Sequence, residues 1–207
     1  MTKITTVYLV RHGDVENPER VYYGRLPGFP LDERGREQAR AAGQHLSEVP
    51  ISIIYASPRL RAQETARIIQ STLEASPPLR SEPLIDEVKS EYDGATQAEM
   101  DRLRWNFYHD PGNEFEQPSD VLARVRLFIE RVRREQQGEQ VVAVSHADPI
   151  VFYWMWVLDI PLLAENRRRL QEYGLQDDYP AKASISTFRF DPNAEDERPI
   201  YSYVRPY

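Results

Sequence analysis

Two β-like runs end in histidines: Val7-Tyr8-Leu9-Val10 leads into Arg11-His12-Gly13, and residues 141–144 lead into Ser145-His146. A neutral imidazole is a competent nucleophile at physiological pH, and the guanidinium beside His12 supplies a fixed charge whose fork matches phosphate oxygens. Gly13 lets the backbone turn sharply and approach an anion closely. In the run Ser57-Pro58-Arg59-Leu60-Arg61-Ala62-Gln63-Glu64-Thr65-Ala66, Arg61 falls in the first turn of a predicted helix, whose amino end adds partial positive charge. His146, directly after its strand, is placed to hold a phosphoryl oxygen as charge builds in transfer. Two histidines and two arginines around one anion are the groups that phosphoryl transfer needs.

For these residues to meet, the strands that carry them must lie in one sheet, because ligands of open α/β sheets gather beyond the carboxyl ends of the strands. Residues 5–10 read as the first strand. A Pro/Gly/Tyr-rich loop over 17–31 follows, then a helix over about 32–47 with Ala39, Ala42, Gly43 and Leu46 on one face. Residues 51–55 read as a second strand. Ser57-Pro58 is expected to cap the helix over 60–73, with the proline at its first position. A proline-rich connection spans 76–83, and the aperiodic stretch 87–117 is expected to form loops and short helices over the cleft.

Val121, Val125, Phe128, Ile129 and Val132 recur at helical spacing after Pro118-Ser119. The segment after His146 is apolar nearly all round and reads as a buried helix. Residues 184–190 and 200–204 read as two late strands joined by the acidic turn 191–197. Strands alternating with helices predict an α/β fold, a three-layer αβα sandwich with a mainly parallel central sheet. No repeat or linker interrupts the chain, so a single domain over 1–207 is expected, with a small lid at about 87–118.

Composition narrows the partners. The net charge of −7 disfavours a nonspecific nucleic-acid surface or an anionic membrane. With no cysteine there is no disulfide, no thiolate nucleophile and no cysteine-based metal site. The amino-terminal apolar stretch is too short for a signal peptide. Residues 149–163, broken by Asp159 and Pro161, fall short of the roughly 20 apolar residues that span a bilayer. A soluble, cytoplasmic protein is expected, acting on a small phosphorylated metabolite, with no nucleic acid and no membrane as partner; a homo-oligomer remains open.

Four segments, in their order, extend the local reading: Leu9-Val10-Arg11-His12-Gly13; Pro30-Leu31-Asp32-Glu33-Arg34-Gly35 with Gln38-Ala39; Ser57 through Ala66; and Val144-Ser145-His146. In these the sequence resembles the histidine phosphatase superfamily, the phosphoglycerate mutase-like proteins, from residue 5 to about 155. The resemblance implies that His12 is the nucleophile that becomes phosphorylated and that Arg11, Arg61 and His146 form the phosphate pocket, with no metal and no cofactor. It also implies an acid that protonates the leaving oxygen. Glu87 is favoured for that role from the order Glu87-Val88-Lys89-Ser90, with Asp86 as the alternative from its distance to Gly94.

Ala147 stands where many relatives have glycine, ahead of Asp148-Pro149, and is expected to line the substrate pocket. Asn17 falls one place short of an asparagine that many relatives use on phosphate. Arg25, in Tyr22-Tyr23-Gly24-Arg25-Leu26-Pro27-Gly28 at the expected entrance, is a candidate reader of a second anionic group. A phosphatase is favoured over a mutase because the 87–119 region is short for a lid that must hold an intermediate through reorientation.

Other histidines and arginine runs carry blander readings. His45, near a helix end, and His109, in a polar loop, are expected to be structural or exposed. Arg131-Val132-Arg133-Arg134 and Arg167-Arg168-Arg169 read as solvated faces of amphipathic helices, and Trp105, Trp154 and Trp156 as core or lid packing. Two competing classes are a hydrolase that uses His12 and His146 as metal ligands, which would crowd a cation with arginines, and a noncatalytic module that binds phosphorylated ligands.

Overall fold

The computed structural model describes residues 4–108, 114–194 and 198–207. His109 and part of the 191–197 turn lie outside them. Six strands, β1 (Thr5–Arg11), β2 (Ile51–Ala56), β3 (Leu79–Ser81), β4 (Gln140–Ser145), β5 (Ile185–Phe190) and β6 (Ile200–Val204), form one sheet in the order β3-β2-β4-β1-β5-β6. β1, β2, β3 and β4 are mutually parallel. β5 runs antiparallel to both β1 and β6. The expected mainly parallel sheet is present.

Period-2 alternation divides the strands between two cores. Val7 and Leu9 of β1, Ile53 and Tyr55 of β2, and Val141 and Ala143 of β4 face α4 (Pro118–Glu135) and α5 (Ala147–Val157). Val10, Ile54, Ala56, Val142 and Val144 face α1 (Glu33–His45) and α2 (Leu60–Thr72). Because both faces are covered, the central strands read as continuous apolar runs. All but one of the eleven residues of α5 are buried, Trp156 being the exception. α1 and α2 approach closely through small residues, and a Cβ at Gly43 would lie 2.2 Å from Thr72 Oγ1. No described helix is long and apolar enough to cross a membrane.

Local capping departs from expectation at one informative place. α1 begins after Asp32, whose carboxylate accepts the Gly35 N–H at 2.6 Å. α2 starts at Leu60 with Arg59 at its N-cap and no side-chain cap, so Ser57 does not cap it and Pro58 lies outside it. β3 was not apparent in the sequence, because three residues after two prolines carry no alternation. The 87–117 stretch contributes α3 (Gln97–Arg102), with a capping box between Thr96 and Glu99.

Register decides what meets at the end of the sheet. Arg11 pairs with Ser145 at the carboxyl ends of the adjacent parallel strands β1 and β4. His12 and His146 are therefore next neighbours on strands about 4.8 Å apart. The turn after His12 is packed against the start of α1, where a Cβ on Gly13 would lie 2.4 Å from Gly35 O and one on Gly35 2.0 Å from Asp14 O. Gln38 fixes the same turn, accepting the Asp14 N–H and donating to its carboxylate, both at 2.9 Å. The two glycine contacts are with backbone atoms and cannot be relieved by a rotamer change. Gly35→Ala is expected to lower stability by about 2 kcal/mol or more, read as a reduced urea midpoint at unchanged slope; a loss under about 0.5 kcal/mol would show that the turn has slack.

Candidate active site

His12 is held on both sides by the sheet, its N–H donating to Ser145 O at 3.0 Å and its carbonyl accepting from Ala183 N at 3.3 Å. Its side chain is 1% exposed. Nδ1 lies 2.7 Å from Gly13 O and Arg61 Nε donates to Nε2 at 3.2 Å. A guanidinium only donates, so Nε2 carries the lone pair and Nδ1 the proton. The nitrogen at the cleft is the nucleophilic one.

Arg61 binds both imidazoles. Its side chain is 1% exposed, stacks 4.6 Å from the Tyr23 ring centroid, and donates through Nη2 to Gly24 O at 2.7 Å and to His146 Nδ1 at 3.1 Å. That leaves His146 Nε2 protonated and donating to Ser57 Oγ at 2.7 Å, whose hydroxyl donates to Asp86 Oδ1 at 2.9 Å. Arg59 closes the chain with a bidentate pair to Asp86 at 2.9 Å through each nitrogen. The His12 and His146 ring centroids are 5.2 Å apart.

Glu87 Oε2 lies 3.4 Å from both Arg61 Nη2 and His146 Nδ1, with the side chain 13% exposed. Its backbone carbonyl accepts from Arg25 Nε at 2.7 Å and Arg124 Nη2 at 3.2 Å, and Glu116 ties those two arginines together. Burial pushes the Glu87 carboxyl up from its ordinary value, a shift that Arg61 opposes and Asp148 and Asp86 assist. Burial, then Lys182 and Arg61, hold the His12 imidazole well below its ordinary value. Burial and Arg61 do the same to His146. Lys182, whose Nζ donates to Tyr23 OH at 3.1 Å, is itself pushed well down by burial and by Arg11. Burial disfavours charge of either sign, and only the smaller contributions of Arg11, Arg61 and Lys182 to these shifts also attract an anion.

Five of the expected site residues, Arg11, His12, Asn17, Glu87 and Ala147, line one cleft of about 340 Å³, with Arg61 and His146 behind His12. Arg11 anchors one nitrogen on Pro180 O at 2.6 Å, while its buried Nε has no partner among the described residues. The Asn17 amide also closes a turn, donating to Val21 O at 2.8 Å and accepting from Val21 N at 3.2 Å. Arg25 does not line the cleft; besides Glu87 O it holds Glu116 at 3.0 Å. The Arg167 to Arg169 run is not a solvated helix face: it lies on short 3-10 turns, with Arg167 buried, 3.6 Å from Asp148 and donating to Trp105 O.

Ser57, Arg59, Tyr23 and Lys182 were not singled out from the sequence. Two of them obey the rule that exposed the histidines. Ser57 follows the carboxyl end of β2, and Lys182 precedes the amino end of the antiparallel β5, so both belong to the same edge of the sheet. Among the described residues one group, His12, Glu87 and His146, brings its ligand atoms within 4.8 Å of one another. Arg61 donates into both imidazole lone pairs on that side, so a cation would have to displace a fixed guanidinium.

Residues 7–192 match the family model of the histidine phosphatase superfamily, branch 1. The chain is 32% identical over 170 residues to phosphoserine phosphatase 1 of Hydrogenobacter thermophilus, covering 74% of this chain and 76% of that protein. It is 31% identical over 175 residues to a probable phosphoglycerate mutase of an Enterobacter species, covering 80% of each. The fold superposes on a mycobacterial glucosyl-3-phosphoglycerate phosphatase with a TM-score of 0.73 at 24% identity, over 97% of both chains. The chain belongs to the histidine phosphatase superfamily, whose members are phosphoryl-transfer enzymes.

Proposed function

We propose that the protein is a metal-independent phosphatase that hydrolyses a small phosphate monoester through a phosphohistidine on His12. The observation that carries this reading is the lone pair of a neutral, nearly fully buried imidazole at the cleft, with Arg61 and His146 beside it. In the first step Nε2 attacks phosphorus and the bond to the leaving oxygen breaks. Arg11 and Arg61 take up the charge on the three remaining oxygens, and His146, its own proton turned to Ser57, positions the Arg61 guanidinium through Nδ1. In the second, water attacks the phosphohistidine and releases inorganic phosphate.

Glu87 is our assignment for the proton donor. Asp86 already accepts from Ser57 and from Nε and Nη2 of Arg59, so both of its oxygens are engaged behind His146, and it does not line the cleft. Glu87 lines the cleft, and its raised pKa favours the protonated form that a leaving alkoxide needs. In the second step its carboxylate takes a proton from the attacking water. We read the chain as one domain with a lid at 87–118, of which 109–113 lie outside the described residues, and this stretch is short for retaining an intermediate through the reorientation a mutase requires. Cytoplasmic location completes the proposal.

His12→Ala is expected to abolish turnover of 4-nitrophenyl phosphate and the alkali-stable, acid-labile phosphoenzyme seen by intact mass in the parent protein. Turnover surviving in this variant would remove His12 from the reaction. Glu87→Gln is expected to lose about 10²- to 10⁴-fold in kcat/KM on an alkyl monoester and far less on 4-nitrophenyl phosphate, whose leaving group needs no proton. Asp86→Asn is expected to affect the two esters equally; a selective loss on the alkyl ester would transfer the acid role to Asp86. Because Glu87 must hold its proton, kcat/KM on the alkyl ester falls as pH rises through its raised pKa, and Glu87→Gln removes that alkaline limb. A limb that persists in the variant belongs to another group.

A further inference from the structure

The cleft does not end at the phosphoryl site. Its walls also include the aromatic residues Tyr22, Trp105 and Phe107 and the arginines Arg20 and Arg168. Both of these arginines are exposed, and among the described residues neither has a carboxylate within 4.0 Å. Their neighbours Arg167 and Arg169 are paired, to Asp148 and Glu172. The cleft thus presents four arginines against two carboxylates on a chain whose net charge is −7. Arg11 belongs to the phosphoryl end and Arg167 is neutralised by Asp148. The cations in excess are Arg20 and Arg168.

Neither side chain hangs from a loose segment. Arg20 sits at φ 53°, in the left-handed region, inside the turn that Asn17 closes: its N–H donates to Asn17 O at 3.1 Å and the Asn17 amide bonds both ends of Val21. A non-glycine residue at such a φ persists when its surroundings over-determine it. The Arg168 guanidinium stacks 5.0 Å from the centroid of Tyr179, whose hydroxyl donates to buried Asp148. An arginine over an aromatic ring keeps its donors in the guanidinium plane and free to fork onto an anion.

We infer that Arg20 and Arg168 form a second anion subsite, and that the substrate class is a phosphomonoester carrying a further anionic group across a planar or apolar spacer. The inference rests on the phosphatase reading above. The spacer would lie along Tyr22, Trp105 and Phe107 while the far anion bridges the two guanidiniums. Arg25, the candidate from sequence for this task, is held by Glu116 and Glu87 O, and the task passes to Arg20, five residues earlier in the same loop, and to Arg168.

The test compares two isosteric esters, 4-carboxyphenyl phosphate and 4-carbamoylphenyl phosphate, which differ by one negative charge at the far end. The parent protein is expected to prefer the carboxylate by about tenfold in kcat/KM, mainly through KM. In Arg20→Ala/Arg168→Ala the preference is expected to fall to twofold or less while turnover of the carboxamide persists, which also reports that the variant has folded. The preference should shrink with added salt, as exposed charge pairs are screened. A parent protein without preference for the carboxylate, or a preference that survives the double substitution, overturns the subsite. If neither ester is turned over in a His12-dependent manner, it is the phosphatase reading that falls.

Discussion

One buried guanidinium, shared by two imidazoles, organises the site. Arg61 reaches His12, His146, Glu87 and Gly24 O from the first turn of α2, and it can do so because α2 starts directly beyond the carboxyl end of β2. By donating to both rings it fixes their tautomers: His12 keeps its proton on the side of Gly13, and His146 turns its proton toward Ser57. Behind His146 the polar chain runs on through Ser57 to Asp86 and Arg59, so the ring that faces the reacting group is supported by groups that do not touch it. Buried polar networks of this kind specify one arrangement because a half-made one leaves unsatisfied groups.

The electrostatics follow from that crowding. Burial and neighbouring cations act in the same direction on His12, His146 and Lys182, disfavouring the charged form of each. Glu87 is shifted the other way, toward its neutral form. The acid and the nucleophile are thereby each pushed toward the protonation state that their proposed roles require, by burial more than by any single partner. An acidic protein with a locally cationic cleft also attracts small anions while repelling large polyanions elsewhere on its surface.

Much of this was legible in the sequence, and the exceptions have physical reasons. Strand runs that end in Arg11-His12 and Ser145-His146 could be read because apolar runs of that length, closed by polar residues, leave few alternatives in an α/β chain. Strands alternating with helices along the chain placed the helices on both faces of the sheet. Ser57 was misread because a serine before a proline is also a good helix cap, and nothing local distinguishes the two uses; its partners, Asp86 and His146, arrive from the segments that follow β3 and β4. Arg25 shows the same limit. A guanidinium's partners depend on which carboxylate lies beside it, and Glu116, which holds Arg25, lies far along the chain from it. Lys182 precedes a strand that runs against its neighbours, and only the sheet order brings its amino end to the carboxyl edge.

The position of β1 between β4 and β5 has a further consequence for how the chain matures. The strand that carries His12 is synthesised early, yet both of its partners lie beyond residue 139. During translation its two edges leave the ribosome with no native neighbour, and nascent Val7-Tyr8-Leu9-Val10 is an apolar β-prone stretch of the kind that seeks foreign strands. Pairing that depends on such distant segments also slows the search for the native sheet. An arrangement that brings two distant histidines together thus leaves β1 without its native neighbours until β4 and β5 have emerged.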